Sequence, residues 1–498
     1  MKDDLQYENL HKSDSSLISR RSLLKLMGTS TAGIAGSSIL SACWPLSSPS
    51  KTGEGIPTPA TTPIGTVKTN IGEARPFVPY FLGYNNVPTH SPSWTNPDVL
   101  NAAKQLKPGT LRYPGGTIAN FWDWRNGWLL PGAPVGSTTH SIYRLQELQR
   151  AVQATNAKPI YVLNMLTSDL NTQLDMLRTA KGMGLPVEFV ELGNEFYLTT
   201  PNDYVTTFPT GREYGTMATR WLSAIHAEFP NAKVAAVGSA PASQFGNARK
   251  ANWNQDMLQT LQGVDSITFH PYVPIQDGLV TQGAPSDSVS KLVEASSARW
   301  QEFENLIQLL PSDMKIWLTE YNLVSANNVF HTWIHGVIIA QMTLSYLSEA
   351  RTEFVCFYDM IGKTGNEVIY YNPSGGSLAP FAPTAAGWIM RLLGDTLQGM
   401  NSAQPISLDS SSATSALTGW LFTNGSQRRA FIINSSSQSF TWNVNTTFSP
   451  GQAQYQQLAS DPFKIITDAG SLRVNSGTLR NQLVLSAYSV TQLQITTP

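Results

Sequence analysis

The stretch Val187-Glu-Phe-Val-Glu-Leu-Gly-Asn-Glu195 decides the fold, because an apolar run too short for a helix ends abruptly in Gly-Asn-Glu. The pattern recurs in Lys315-Ile-Trp-Leu-Thr-Glu-Tyr-Asn322, where a second strand-like run delivers Glu320 at its C-terminal end. Continuous apolar runs of this length are typical of parallel strands buried on both faces of a sheet. We therefore expect the carboxyl groups of Glu195 and Glu320 to lie at the carboxyl edge of one sheet, where the sites of α/β barrels are built.

Six further segments have the same strand-like character, and helical patterns lie between them. In chain order the eight predicted strands are Phe77–Asn86, Thr110–Gly116, Pro159–Leu166, Val187–Glu195, Lys233–Ala240, Ser266–Tyr272, Lys315–Asn322 and Glu353–Met360. The alternation predicts an α/β fold, either a (β/α)8 TIM barrel or a doubly wound sheet. Polar residues follow several strands around the whole series. This favours the barrel, whose sites draw residues from the ends of many strands.

The texture of the sequence changes beyond Gly394. Short alternating segments separated by Asn-Gly, Ser-rich and Gly-containing turns predict strands at Ala416–Thr423, Arg429–Ile433, Phe440–Val444, Leu483–Ser486 and Ser489–Ile495. We therefore divide the folded chain into a barrel at 71–394 and a C-terminal antiparallel β-sandwich domain at 395–498. Residues 70–76 are expected to join the sandwich. Structural support of the barrel is its expected role, and an independent binding module is the alternative.

The first 43 residues have the features of an export signal. Ser19-Arg-Arg-Ser-Leu-Leu-Lys25 resembles a bacterial twin-arginine motif, and a modestly apolar stretch follows it. Leu40-Ser-Ala-Cys43 resembles the lipobox of bacterial lipoproteins, in which the cysteine is lipidated. Residues 44–70, rich in Pro, Ser and Thr, are expected to form a tether. The protein is thus expected outside the cytoplasm, anchored by lipid at Cys43 or by an uncleaved N-terminal anchor.

Composition excludes several classes of protein. Lys and Arg number 33 against 34 Asp and Glu, and no dense basic run follows the N-terminal segment, so a nucleic-acid partner is not expected. Of the two cysteines, Cys356 lies in an apolar run and is expected in the core, so no disulfide is predicted. His331-Thr-Trp-Ile-His335 has the spacing of two zinc ligands, but Thr332 stands where a metalloprotease has its glutamate. We predict no metal or cofactor.

Other polar side chains are expected near the two glutamates. Arg112, in an apolar strand, requires an anionic partner, which is either a catalytic carboxylate or a structural one. The predicted ligand-contacting set is Arg112, Asn164, Asn194, Tyr197, His270, Tyr272, Tyr321 and Tyr358. Glu191, inside its strand, is expected to face a helix or a neighbouring strand. Asp123 is expected either in the cleft or in a turn.

Four motifs in order resemble those of clan A retaining glycoside hydrolases: Arg112-Tyr-Pro-Gly-Gly116, Gly193-Asn-Glu195, His270-Pro-Tyr272 and Thr319-Glu-Tyr-Asn322. The nearest resemblance is to the α-L-arabinofuranosidases of glycoside hydrolase family 51. Those enzymes carry Arg-(Trp/Tyr)-Pro-Gly-Gly, a Gly-Asn-Glu acid/base and a Glu-Trp-Asn nucleophile segment, and a C-terminal β-sandwich. The likeness extends from Phe77 to Met360, with Tyr where the family usually has Trp.

The resemblance implies a double displacement on a carbohydrate substrate. Glu320 would be the nucleophile that forms a glycosyl-enzyme ester, and Glu195 would be first the general acid and then the general base. Retention of configuration requires carboxyl groups about 5–5.5 Å apart, whereas about 6.5–9.5 Å accompanies inversion. The heparanase and β-glucuronidase family shares the architecture and a similar fourth-strand motif, so such a glycosidase is one alternative. A non-catalytic carbohydrate-binding lipoprotein, which would meet the membrane only through its anchor, is the other.

Overall fold

The computed structural model describes residues 63, 65–135, 141–241, 247–276, 279–280, 285–324, 326, 328–372, 374–376, 378–409, 416–425, 427–444, 453–479 and 481–496. The expected export signal at 1–43, with Cys43, and most of the expected tether at 44–70 lie outside these residues. The predicted localisation therefore stays a prediction.

Eight parallel strands close into a barrel, as the sequence predicts. They are β1 (Leu82–Asn85), β2 (Thr110–Tyr113), β3 (Lys158–Val162), β4 (Phe189–Glu191), β5 (Lys233–Val237), β6 (Ser266–Phe269), β7 (Lys315–Tyr321) and β8 (Thr352–Phe357). Each strand pairs with the next in chain order, and β8 pairs with β1 through Val355 and Leu82. Closure brings the carboxyl ends of all eight strands to one rim, so residues far apart in sequence meet there.

Helices and short elements connect the strands. The α-helices are Pro97–Leu106, Leu145–Thr155, Leu170–Gly182, Asn202–Thr207, Gly211–Glu228, Ala248–Leu258, Pro285–Ile307, Trp333–Ser345 and Ala385–Leu397. Short strands lie at Trp122–Asp123, Trp128–Leu129, Val273–Pro274, Leu323–Val324, Ile361–Gly362 and Ile369–Tyr370, and single 3₁₀ turns at Thr117–Phe121, Tyr346–Ser348 and Ala469–Ser471. Within the described residues, no helix has the length and apolarity needed to cross a bilayer.

The amino-terminal part of the barrel interior is an apolar plug. Its side chains are those of Ile160, Phe189, Ala235, Trp317, Phe354 and Cys356, all fully buried. The Phe189 ring packs edge-on against Trp317 and Phe354. The Cys356 thiol is buried in this cluster, as predicted. Since the plug fills the lower interior, the buried polar side chains of the strands collect at the carboxyl end.

The predicted antiparallel C-terminal domain is confirmed, and it contains more strands than expected. Its ten strands are Thr66–Ile71, Arg75–Pro76, Ser402–Asp409, Leu417–Asn424, Gln427–Asn434, Phe440–Asn443, Ala453–Ala459, Arg473–Thr478, Gln482–Leu485 and Ser489–Thr496. The first of them pairs antiparallel with 402–409 and parallel with 440–443, so it joins the two halves of the domain. Residues 66–70, expected in the tether, therefore belong to the sandwich. The reason is Val67, which is fully buried in its core.

The sandwich packs against helices on one side of the barrel. At the start of helix Trp333–Ser345, the backbone N–H groups of Trp333 and Ile334 donate to Lys464 and Pro462. On helix Ala385–Leu397, the buried Gln492 side chain donates to the hydroxyl of Thr396 at 2.9 Å. Apolar side chains of both domains form one continuous core. This contact fits a supporting role for the sandwich, because it extends the packed core of the barrel.

Candidate active site

The turn after β4 aims Glu195 into the barrel mouth. Gly193 has a φ of 90°, and a Cβ there would lie 2.1 Å from the Phe196 ring, so glycine is required both by the backbone and by packing. Glu195 itself has a φ of 49°, in the left-handed region that non-glycine residues seldom adopt. Its side chain is 2% exposed. A sharp, sterically specified turn therefore converts the end of a buried strand into a fixed carboxyl group.

A β-bulge in β7 presents two consecutive side chains to the interior. Leu318 pairs with Val355 and Tyr321 pairs with Phe357, so β7 advances three residues while β8 advances two. Thr319 and Glu320 occupy the bulge, and both hydrogen-bond to residues of the barrel interior. Bulges recur beside active sites because they re-aim side chains in this way.

The same bulge turns Tyr321 outward, so the prediction that Tyr321 contacts a ligand is wrong. Its ring lies edge-on to Tyr346 and Phe357, and its hydroxyl is 2.6 Å from that of Thr343 on helix Trp333–Ser345. The residue is fully buried between strand and helix. Tyr321 is therefore part of the barrel core.

Arg112 joins three strands at the centre of the site. Its guanidinium donates to both oxygens of Glu191 at 2.7 and 2.9 Å, to Glu320 Oε1 at 2.6 Å and to Asn194 Oδ1 at 2.8 Å. Arg112 thus has both of the partners considered for it, the structural carboxylate of Glu191 and the expected nucleophile Glu320. Burial alone would lower the pKa of Arg112, but Glu191 and Glu320 raise it, so the guanidinium stays charged.

The expected position of Glu191 is wrong. Glu191 faces neither a helix nor a neighbouring strand surface but the barrel interior, where it is fully buried against Arg112. Asn85 at the end of β1 also belongs to this network, since it accepts from Arg112 and donates to the Thr319 carbonyl. The available signal was a charged residue within an otherwise apolar strand, which burial tolerates only with a partner.

His270 and two tyrosines hold the glutamates. The Tyr197 hydroxyl donates to Glu195 Oε1 at 2.8 Å, and the Tyr272 hydroxyl donates to Glu320 Oε2 at 2.7 Å. His270 Nδ1 lies 2.9 Å from Glu195 Oε1 and 3.7 Å from Glu320 Oε2. Burial alone would lower the pKa of His270, but the charges of Glu320 and Glu195 outweigh burial and raise it.

The two glutamates converge. In the described part of the chain, Glu195, His270 and Glu320 form a buried group that offers one oxygen or nitrogen each within 4.8 Å of one another. Such a triad could accept a metal ion by its donor set, but the Arg112 guanidinium 2.6 Å from Glu320 disfavours a second cation there. One oxygen from each carboxyl group is therefore close enough to act on the two atoms of a single bond in a ligand.

The two histidines of the His331–His335 motif contact different side chains. His331 Nε2 lies 2.6 Å from Glu367, while His335 Nε2 lies 3.0 Å from the Asn322 side-chain oxygen. Burial, and then the neighbouring His331, lowers the pKa of His335 to about 3. His335 is therefore a neutral core residue.

Gly116, Tyr358 and Asn194 border the space beside the glutamates. A Cβ on Gly116, whose φ is 64°, would lie 3.9 Å from both Glu320 Oε1 and the Tyr358 ring. Burial raises the pKa of Tyr358, and the negative charges nearby add to this, so its phenol remains a donor. The buried Asn194 Nδ2 has no hydrogen-bond partner among the described residues, while its Oδ1 is held by Arg112. This leaves an oriented donor directly before Glu195.

Two other predicted residues organise loops. Asn164 donates to the Trp122 carbonyl and is bonded in both directions to Thr167, so its amide ties the loops after β2 and β3 together. Asp123 accepts from the backbone N–H of Arg125, which is the turn role considered for it. Of the predicted set, Arg112, Asn194, Tyr197, His270, Tyr272 and Tyr358 gather around Glu195 and Glu320.

Comparison with known proteins places this fold among glycoside hydrolases. No protein-family model matches the chain. An exo-α-(1→6)-L-arabinofuranosidase of Bifidobacterium longum is 24% identical over 209 residues, which are 35% of this chain and 37% of that protein. The chain thus spans little more than a third of that relative.

Solved structures resemble the chain over most of its length. A family 51 α-L-arabinofuranosidase from Bifidobacterium longum superposes with a TM-score of 0.64, at 14% identity, over 87% of this chain and 100% of that one. A 4-O-α-L-rhamnosyl-β-D-glucuronidase from Fusarium oxysporum has a TM-score of 0.63, at 14% identity, over 86% and 100%. At these identities the likeness shows the fold, which is the barrel-and-sandwich fold of family 51.

Proposed function

We propose that this chain, which has the fold of the family 51 α-L-arabinofuranosidases, is a retaining glycoside hydrolase that cleaves poly- or oligosaccharides. The observation that carries the proposal is the approach of Glu195 and Glu320, each with an oxygen inside a 4.8 Å cluster. An approach of one oxygen from each carboxyl group to within 4.8 Å supports retention, for which the carboxyl groups lie about 5–5.5 Å apart, over inversion, for which they lie about 6.5–9.5 Å apart.

The surroundings of each glutamate suit a different role. Glu320 accepts from the charged Arg112 and from Tyr272, and both bonds stabilise a carboxylate, which is the nucleophilic form. Glu195 Oε1 accepts from the Tyr197 hydroxyl and lies 2.9 Å from Nδ1 of the buried His270. Because this ring nitrogen can share a proton with the carboxyl group, Glu195 suits the role of acid and base.

The reaction follows in two steps. In the first, Glu320 attacks the anomeric carbon while Glu195 transfers its proton to the departing glycosidic oxygen. In the second, Glu195 takes a proton from water, which attacks the glycosyl ester and releases Glu320. The amide donor of Asn194 would bind a sugar hydroxyl beside the anomeric carbon, where such bonds strengthen as the transition state forms.

An α-L-arabinofuranoside is the substrate we propose, on the strength of the Bifidobacterium relative and of the solved arabinofuranosidases. A β-glucuronide is the second candidate, because the Fusarium glucuronidase resembles the chain to nearly the same degree. A panel of aryl arabinofuranosides, glucuronides, xylosides and glucosides distinguishes the two. The preferred substrate is the one with the highest kcat/KM, and ¹H NMR of its first product reports the configuration.

Variants of the two glutamates test the mechanism. E320A should lose turnover. Added azide should restore turnover and give a glycosyl azide of inverted configuration, because the small anion attacks from the position that the carboxylate has left. E195A should retain activity only on substrates with good leaving groups, which need no proton. E188A is the matched control, since Glu188 precedes β4 at its amino end and is half-buried in a pair with Lys158. If E195A and E320A hydrolyse every substrate as the parent does, the assignment of the two glutamates is wrong; if the parent hydrolyses none of the substrates, the chain is a carbohydrate binder.

We also propose that the protein is exported and lipid-anchored at Cys43. Support comes from the paired arginines Arg20 and Arg21 and from the Leu40–Cys43 motif. Labelled palmitate should be incorporated by the parent protein and not by C43A. Labelling of C43A, or of neither protein, would contradict lipidation at this position.

A further inference from the structure

The hydroxyl group of Thr319 lies within hydrogen-bond distance of two side chains, those of Glu191 and His270. Thr319 Oγ1 is 3.0 Å from Glu191 Oε1 and 3.1 Å from His270 Nε2. Both oxygens of Glu191 accept hydrogen bonds from the Arg112 guanidinium, so Glu191 is the acceptor in its contact with Thr319. A hydroxyl carries one proton, and a carboxylate acceptor gives the stronger, charge-assisted bond. Thr319 therefore donates to Glu191.

This assignment determines the protonation of the histidine ring. Because the Thr319 proton is directed to Glu191, its oxygen must accept from His270, and Nε2 of His270 must carry hydrogen. The opposite nitrogen, Nδ1, then faces Glu195 Oε1 at 2.9 Å. A single proton fits between Nδ1 and Oε1, either on the glutamate or on the ring.

We propose that Thr319 is a positioning residue that fixes the Nε2–H form of His270 and thereby holds the catalytic proton between His270 and Glu195. In the other neutral form of the ring, an Nδ1–H would donate to Glu195 and stabilise its carboxylate, which cannot act as an acid. The hydrogen-bond chain from Arg112 through Glu191 and Thr319 thus excludes the neutral ring form in which Nδ1–H of His270 donates to an ionised Glu195.

The other groups facing His270 are compatible with this arrangement. Glu320 from β7 lies 3.7 Å from Nδ1 and is already bonded to Arg112 and to Tyr272. Both of these donors satisfy Glu320 without the ring. Glu195 therefore remains the nearest group with which Nδ1 can share a proton.

The first test measures the ring nitrogens of the parent protein. In ¹⁵N-histidine-labelled protein, with the His270 signals assigned by comparison with H270Q, Nε2 should remain protonated at every pH at which the protein is folded. Only the Nδ1 shift should change with pH. A neutral ring protonated at Nδ1 would overturn the proposal. This measurement requires no substrate, so it stands even if the proposed function fails.

The second test rests on the proposed function and compares T319V with T319S. T319V removes the hydroxyl at nearly constant volume, and the alkaline limb of the kcat/KM profile should move to lower pH. The ratio of kcat/KM for good over poor leaving groups should rise about 10-fold or more, a part of the 10²–10⁴ that acid catalysis contributes. T319S should restore both quantities. Unchanged values in T319V, or a T319S that behaves as T319V does, would refute a role for the hydroxyl.

Discussion

Replacing Glu191 by glutamine changes one buried charge and almost no volume. Both oxygens of Glu191 accept, from the two guanidinium nitrogens of Arg112 and from Thr319. A glutamine at this position has a single acceptor oxygen, and its NH₂ group must face one of these donors. E191Q thus leaves a buried donor without an acceptor and weakens a charge-assisted pair in a fully buried position.

The expected loss in the free energy of unfolding follows from these contacts. Breaking a buried ion pair costs about 3–5 kcal/mol, and an unsatisfied buried donor costs about 1–3 kcal/mol of this. Because Arg112 keeps Glu320 as a partner, we expect about 3 kcal/mol, the lower end of the range. Glu188, three residues earlier, is 32% exposed and pairs with a Lys158 that is 35% exposed. E188Q should therefore cost less than about 1 kcal/mol.

Urea denaturation of the parent, E191Q and E188Q, followed by tryptophan fluorescence and circular dichroism, measures both losses. Glycosidase assays on the same samples should show a lower kcat for E191Q only, because Arg112 loses the partner that orients it toward Glu320. If E191Q is no less stable than E188Q, the buried pair does not contribute as argued. If E191Q is destabilised but fully active, Glu191 supports the barrel and not the site.

Three other perturbations have defined outcomes. G116A should raise KM, since its methyl group would enter the space beside the nucleophile. Gly132 is the control, because its φ is 80° and no atom lies within 4 Å of a Cβ added there. G132A should share only the loss in folding stability of about 1–2 kcal/mol that a left-handed backbone imposes on alanine. Y272F should lower kcat about 10-fold or more, because a hydrogen bond to a charged group contributes about 1.5–3 kcal/mol. Y321F should leave kcat and KM unchanged and lower the free energy of unfolding by about 1 kcal/mol, since it loses only a hydrogen bond in the core. H270A should be least stable relative to the parent below about pH 6.5, and the deficit should shrink as the pH rises through the folded-state pKa, since that pKa is raised.

For each of these three predictions, a specific result would refute the reasoning. Equal KM values for G116A and G132A would mean that the substrate does not approach this turn. A raised KM in Y321F would indicate that Tyr321 contacts the ligand after all, contrary to its buried position. For H270A, the urea midpoint should be recorded from pH 5 to 9 against that of the parent. A deficit that grows with pH would show that the histidine is neutral in the folded protein.

Most of the fold was predictable because it rests on local patterns. Apolar runs of strand length, separated by helical periodicity, identify all eight barrel strands to within a few residues, and turn-rich alternation identifies the antiparallel domain. Val67 shows the limit of such patterns. It stands in a Pro- and Thr-rich segment with no periodicity, and only pairing with strands more than 300 residues away makes it part of a core.

The sequence by itself determined which residues stand at strand ends, and hence that Glu195 and Glu320 would share one rim once the barrel closed. The tertiary structure alone decided which way individual side chains point. The bulge against β8 turned Thr319 and Glu320 inward and Tyr321 outward, and closure of the barrel gave Glu191 its arginine. The physical reason is the distance along the chain over which each property is determined. Strand propensity depends on neighbouring residues, whereas strand register and buried charge pairs depend on residues that come together only when the chain folds.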